Sequence, residues 1–114
     1  MLDYFRNEKD VRSFQPGEVI FRDGDAGDCF FAVLDGTVEI VLDGQTVETV
    51  SPGGVFGEMA LIDSSPRSAS AVARDAVRVA AVGKPRFMFL VQQTPFFALE
   101  IMHVLAERLR RNHS

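Results

Sequence analysis

"FGEMALIDSSPRSASAVA", Phe56–Ala73, is the stretch on which the reading of this chain turns. Glu58 stands nine residues ahead of Arg67, in a run dominated by small, apolar and hydroxyl residues. "FGE" followed by "MALI" predicts a short helical turn after a strand. Gly57 allows close backbone approach, and the first amides of the turn lack intrahelical partners. Such a turn suits an anion. Arg67 adds a planar fork of donors that matches phosphate oxygens, and Ser68 adds a hydroxyl. Ala69, Ala71 and Ala73 alternate with Ser70 and Val72, so small side chains on one strand face would leave room for something flat. Glu58 is the odd member, because a carboxylate repels a phosphate.

The regions around this stretch read as many short strands. From Pro16 to Val82, β-branched and aromatic runs ("EVIFR", "CFFAVL", "TVEIVL", "TVETV") are separated by glycines at 17, 24, 27, 36, 53, 54 and 57. Asp43-Gly44 between two such runs is a hairpin signal, since a type I′ turn needs positive φ at both central residues. Val38, Ile40 and Leu42 alternate with Thr37, Glu39 and Val41, giving one buried and one mixed face. Residues 1–13 predict a short helical segment anchored by Leu2, Phe5 and Val11. After Gly83 the period changes to helical. Thr94-Pro95 resembles an N-cap with proline at the first helical position. Phe97, Ile101, Val104, Leu105 and Arg108 recur at helical steps, with Met102 and Leu109 widening the stripe. The expected fold is mainly β with flanking helices: a jelly-roll-like β-roll of about eight strands over 14–83, with helices over 1–13 and 84–114.

Composition narrows the functional classes. The chain has 114 residues, 46% apolar and 25% charged, which suits one globular domain over 1–114. A net charge of −4 and a pI of about 5.1 argue against binding a nucleic-acid backbone through this domain. Arg108, Arg110 and Arg111 read as cations at a helix C-terminus. No apolar run reaches the length of a membrane span, the N-terminus is too charged for a signal peptide, and Cys29 is the single cysteine. A cytoplasmic setting is expected, with Cys29 an inert core thiol. "RDGDAGD" (22–28) lacks the register of a calcium loop and reads as turn chemistry. His103 and His113 fall outside the strands, so no metal site is expected on the roll. No serine or cysteine has a base nearby, so no enzyme is expected. No helix-turn-helix follows Arg111, which argues against a self-contained transcription factor.

A carboxylate beside a phosphate cradle makes sense if it accepts a hydrogen bond from a hydroxyl of the same ligand. A 3′,5′-cyclic nucleotide carries both groups. Phe56–Ala73 resembles the phosphate-binding cassette (56–73) of the cyclic nucleotide-binding domain family, which includes catabolite activator proteins, regulatory subunits of cyclic-nucleotide-dependent kinases, and cyclic-nucleotide-gated channels. "PGEVIFRDGDAGDCFFAVLDGTVEI" (16–40) is similar to the family's front half, and 84–111 to its two C-terminal helices. The resemblance implies that Glu58 binds the ribose hydroxyl and Arg67 the cyclic phosphate. Gly57 and Ala69 would give backbone amides, and Ser68 would reach phosphate or base. Phe56, Met59, Ala60 and Ala71 complete the implied lining. Where the family usually has valine followed by a polar residue, this chain has Ala71 and Val72.

The expected function is a regulatory module that takes cAMP or cGMP, with cAMP placed first, needs no cofactor, and repositions its C-terminal helices. The helix from Pro95 to Arg111 would be a lid hinged near Gln92–Thr94. Ile101, Val104 and Leu105 would cover the base, and Arg108 would stack on it. The bland alternatives are a stripe that packs on the roll or on a second subunit, a structural Glu58–Arg67 ion pair, and a ligand-free roll serving as a structural or protein-interaction domain. An effector domain or a homodimer partner would attach through the last helix.

Overall fold

The computed structural model describes the backbone of residues 2–113 and the side chains of residues 3–111, so the side chains of Leu2 and His113 lie outside the described residues. Eight strands form two antiparallel four-stranded sheets. In chain order they are β1 (Val11–Phe14), β2 (Val19–Phe21), β3 (Cys29–Asp35), β4 (Val38–Leu42), β5 (Gln45–Val50), β6 (Val55–Phe56), β7 (Ser70–Ala73) and β8 (Val77–Gly83). One sheet has the order β1-β8-β3-β6 and the other β2-β7-β4-β5. Helix α1 (Glu58–Asp63) interrupts the roll between β6 and β7, and α2 (Lys84–Gln93) and α3 (Pro95–His113) follow it. The mainly β roll with flanking helices is therefore the fold.

The continuous apolar run of β3 reflects burial on both sides. Phe31 and Val33 point into the core between the sheets, with Val38, Val50, Phe56, Ala71, Ala73, Val77 and Val79. Phe30 and Ala32 point the other way, into a second cluster with Phe5, Val55, Leu61, Leu90, Phe97 and Ile101. A strand that alternates between two dry faces has no polar positions to show. Phe5, Phe30, Phe87 and Phe97 meet edge-to-face in this second cluster, with ring centroids 5.7–5.9 Å apart. That packing fixes the C-terminal helices on the outer face of the β1-β8-β3-β6 sheet. Fully burying one such ring is worth about 1.5–3 kcal/mol.

The hairpin turn forms as expected, with φ 52° at Asp43 and 78° at Gly44, and Leu42 pairs with Gln45 across it. Burial on β4 fades from Val38 toward an exposed Leu42 at the tip. Three local expectations change. The N-terminal helix is a single 3-10 turn at Leu2–Tyr4, and Val11 opens β1 instead of anchoring a helix. Phe5 alone is the buried anchor of that segment among the described side chains. Met102 and Leu109 do not widen the buried stripe of α3, each being 58% exposed, and Phe96 is 74% exposed while its neighbour Phe97 is buried. Finally, the Thr94 hydroxyl donates to the Leu90 carbonyl at 2.7 Å, so it serves the end of α2. Pro95 does take the first position of α3, and the chain bends by 118° between the two helices.

Candidate functional site

Arg67 is a buried cation held through both its backbone and its side chain. Its own peptide is clasped by the 22–28 turn: Gly24 N donates to the Arg67 carbonyl at 2.7 Å, and Arg67 N to the Asp25 carbonyl at 2.8 Å. The turn is itself braced by Arg22 N to Asp25 Oδ2 at 2.9 Å, and Asp23 N reaches Ser70 Oγ at 3.0 Å. The acidic turn is thus a backbone clamp on the cassette. The buried guanidinium donates from Nη1 to the Gly57 carbonyl at 2.8 Å and from Nη2 to the Cys29 carbonyl at 2.7 Å. It lies 4.2 Å from the Phe21 ring centroid and 5.6 Å from that of Phe31. Its Nε is buried and, among the described residues, has no hydrogen-bond partner.

Two glycines make room for this group. Gly57, at φ 79°, turns the chain from β6 into α1, and a Cβ there would sit 2.6 Å from Arg67 Nη1. A Cβ on Gly27 would sit 2.7 Å from Arg67 Cζ and Nε and from the Ala60 Cβ. The result is a buried cation bound by neutral carbonyls. Among the described residues no carboxylate pairs with it, and its buried Nε has no acceptor. An unpaired buried donor is costly, and an anionic acceptor relieves it.

Glu58 opens α1 and is buried. It does not pair with Arg67: its Oε1 accepts from Nη1 of Arg108, on α3. Arg108 also donates to Glu48 on β5, from Nε at 3.1 and 3.2 Å and from Nη2 at 2.8 Å, and to the Val55 carbonyl on β6. Burial works against the Arg108 charge, but the hydrogen bond to Glu48 and the charges of Glu58 and Glu48 outweigh it, and its pKa is raised. The Arg108 guanidinium, expected to stack on a base, is here engaged with these two carboxylates. Arg108 therefore reaches the cassette from the helix expected to be the lid.

Gly57, Glu58, Ala60 and Arg67 come together. Phe56 is buried and stacks with Phe31 at 5.3 Å, inside the roll. Ser68 is exposed, Ala69 is half-buried, and the Met59 side chain is 48% exposed on the outside of α1. Ala71 and Ala73 are closed over in the core between the sheets, so they form no open shelf. Val104 and Leu105 are half-buried against the helical cluster. A cavity of about 370 Å³ lies between β5 and α3, lined in part by Glu48, Val55, His103, Val104 and Arg108. A second, of about 600 Å³, lies beside Phe96, Leu99 and Val104. Both follow α3 and not the Arg67 cradle. Cys29 is buried, and its thiol is pushed up by burial and then by Asp28. No group of three potential metal ligands occurs among the described residues. No single helix there is long and apolar enough to cross a membrane; α2 and α3 reach that length and composition only together, as a bent pair.

Sequence reasoning missed Glu48, Gly27 and the clamp from Asp25. Glu48 had a readable signal: it is the one charge in the strand run "TVETV".

Residues 11–94 match the family described as "Cyclic nucleotide-binding domain". The chain is 36% identical, over 96% of its length, to the cyclic AMP receptor protein of Thermus thermophilus. The crystal structure of the catabolite activator protein of that organism superposes with a TM-score of 0.81, again at 36% identity, covering 96% of this chain and 52% of that one. A regulatory subunit of cAMP-dependent protein kinase from Emericella nidulans is 38% identical over 72% of this chain and 20% of its own. An EAL enzyme solved in its cGMP-bound form superposes at 37% identity with a TM-score of 0.68, covering 90% of this chain and 28% of that enzyme. The chain spans about half the length of the receptor protein, 51%, and less of the kinase subunit and the EAL enzyme. With the roll, the cassette and these likenesses in agreement, the chain belongs to the cyclic nucleotide-binding domain family.

Proposed function

We propose that this chain is a regulatory sensor that binds a 3′,5′-cyclic nucleotide, cAMP ahead of cGMP, and answers by moving α2 and α3. The observation that carries the reading is Arg67, a buried guanidinium with no carboxylate partner and an unpaired Nε among the described residues. In this proposal the cyclic phosphate takes Arg67, the amides of Gly57 and Ala69, and the Ser68 hydroxyl. The ribose 2′-hydroxyl donates to Oε2 of Glu58, since Oε1 is held by Arg108.

Glu58 is then shared by ligand and α3. A nucleotide can shift α3 only by its difference in affinity for the two helix positions; a hundredfold difference corresponds to about 2.7 kcal/mol. The placing of cAMP first is supported by the names of the receptor protein and the kinase subunit, both of which refer to cAMP. No catalytic step is proposed, and the setting is taken as cytoplasmic. An effector domain or a second copy would engage α3, whose outer face presents Phe96, Leu99, Met102 and Leu109. The rival is a ligand-free interaction roll, and the exposed apolar face of α3 is what favours it.

Titration calorimetry of the chain with cAMP and with cGMP tests the reading. Saturable binding of both, tighter for cAMP, is expected. No binding of either nucleotide would refute it in favour of the rival, and tighter binding of cGMP would overturn the order.

A further inference from the structure

Glu48 lies two residues from Val50 and opposite Ile40 in the β4–β5 ladder. Cross-strand partners share a face, so Glu48 projects from the side of the sheet that buries Val38 and Val50. An acid on the core side of a strand needs a partner. Glu48 has one in Arg108, gripped through both Nε and Nη2, and a second cation in Arg111 at 3.5 Å. A bidentate grip fixes the plane of a guanidinium as well as its place. With Nε and Nη2 held, Nη1 can point in only one direction, and that direction leads to Oε1 of Glu58.

We propose that Glu48 is a positioning residue for ribose recognition: by fixing the Arg108 guanidinium it pins Oε1 of Glu58 and leaves Oε2 turned to the nucleotide hydroxyl. This rests on the reading of the cassette given under Proposed function. Residues from β5, α1, β6 and α3 thereby meet on one guanidinium, and the position of α3 is tied to the aim of Glu58. Without Glu48, Arg108 keeps its charge but gains rotational freedom, and Glu58 loses its fixed aim. The carboxylate of Glu48 borders the 370 Å³ cavity and is partly exposed, so Glu48→Gln preserves volume and opens no hole in the core.

The test is calorimetry of the full chain with cAMP and with 2′-deoxy-cAMP. Glu48→Gln should lower cAMP affinity about fivefold, a part of the tenfold or more carried by a hydrogen bond to a charged group. It should barely change the deoxy ligand, so the ribo-to-deoxy ratio shrinks. Glu39→Gln is the control. Glu39 lies on neighbouring β4 and pairs with Arg74 at 2.9 Å, away from the Arg108 cluster, so both affinities should hold. Amide exchange over 104–111, measured without nucleotide, should quicken in Glu48→Gln and not in Glu39→Gln. Native protein that binds cAMP while Glu48→Gln keeps the native ratio overturns the role of Glu48 alone. So does a rise in cAMP affinity, which would mean that Arg108 blocks the site. Native protein that binds neither nucleotide overturns the functional reading itself.

Discussion

Three glycine-to-alanine substitutions separate backbone strain from crowding of Arg67. Gly17 has φ 86°, and a methyl added there would meet no atom within 4 Å, so Gly17→Ala suffers strain only. A left-handed backbone costs a non-glycine residue about 1–2 kcal/mol. For a domain of this size that lowers Tm by roughly 4–8 °C per kcal/mol. Gly27 carries no positive φ, so Gly27→Ala brings only the 2.7 Å clash with Arg67 and Ala60. Gly57 has both defects, φ 79° and a 2.6 Å approach to Nη1. To reach an ordinary contact of about 3.4 Å the guanidinium must retreat by about 0.8 Å, which exceeds the tolerance of a good hydrogen bond. Its bond to the Gly57 carbonyl, now 2.8 Å, is the first to suffer.

In thermal melts, Gly17→Ala and Gly57→Ala should both lose stability. In calorimetry with cAMP, Gly17→Ala should keep native affinity. Gly27→Ala and Gly57→Ala should each lose about 1.5–3 kcal/mol, or roughly 10–100-fold, as a charge-assisted contact is displaced. Native affinity in both Gly27→Ala and Gly57→Ala would refute the view that Arg67 is the anion anchor. A loss in Gly17→Ala as large as in Gly57→Ala would show that general destabilisation, not the cradle, is being measured.

Arg67→Lys keeps the charge but cannot hold the Gly57 and Cys29 carbonyls in one plane, so nucleotide affinity should fall by about 2–5 kcal/mol while the melt stays cooperative; unchanged affinity contradicts the cradle. The native protein should bind 2′-deoxy-cAMP more weakly than cAMP by about 1.5–3 kcal/mol, and in Glu58→Gln that gap should narrow. Equal binding of the two ligands by the native chain would remove Glu58 from the ribose. Saturating cAMP should raise stability by about 2.7 kcal/mol at a hundredfold excess over Kd, and a melting curve indifferent to nucleotide would speak for the ligand-free rival.

What could be read from the sequence was what local chemistry dictates. Asp43-Gly44 demanded one turn type and adopted it. "FGE" before "MALI" predicted a turn into a short helix, and Gly57 makes it at φ 79° with α1 beginning at Glu58. Strand β1 was illegible because "VRSF" exists as a strand only through its ladder with β8, pairing Val11 with Ala80 and Phe14 with Val77. The outer face of α3 misled for a related reason. Periodicity marked Phe97, Ile101, Val104 and Leu105 correctly, yet it cannot tell a wide buried stripe from a narrow one flanked by exposed Met102 and Leu109. The partners of Arg108 were out of reach altogether, since Glu58 and Glu48 lie fifty and sixty residues away and only the fold brings them together.

For the proposed nucleotide site, those partners resolve the difficulty posed by an acid beside an anion. At a separation of about 6 Å and an effective dielectric of about 20, a carboxylate and a phosphate repel by about 3 kcal/mol. That would offset most of what one charged hydrogen bond supplies. The two arginines divide the work. Arg67 is held by neutral carbonyls, so its charge is left for an incoming anion. Arg108 is held by two carboxylates, and Arg111 stands 3.5 Å from one of them, Glu48, so the two cations together balance Glu48 and Glu58. Glu58 can then act as an acceptor for a hydroxyl without acting as a free negative charge against the phosphate. On this account the sign of the site is set by α3. Moving α3 away would uncover the Glu58 charge and weaken phosphate binding, and a bound nucleotide should therefore draw α3 from other positions into the one in which Arg108 is on Glu58.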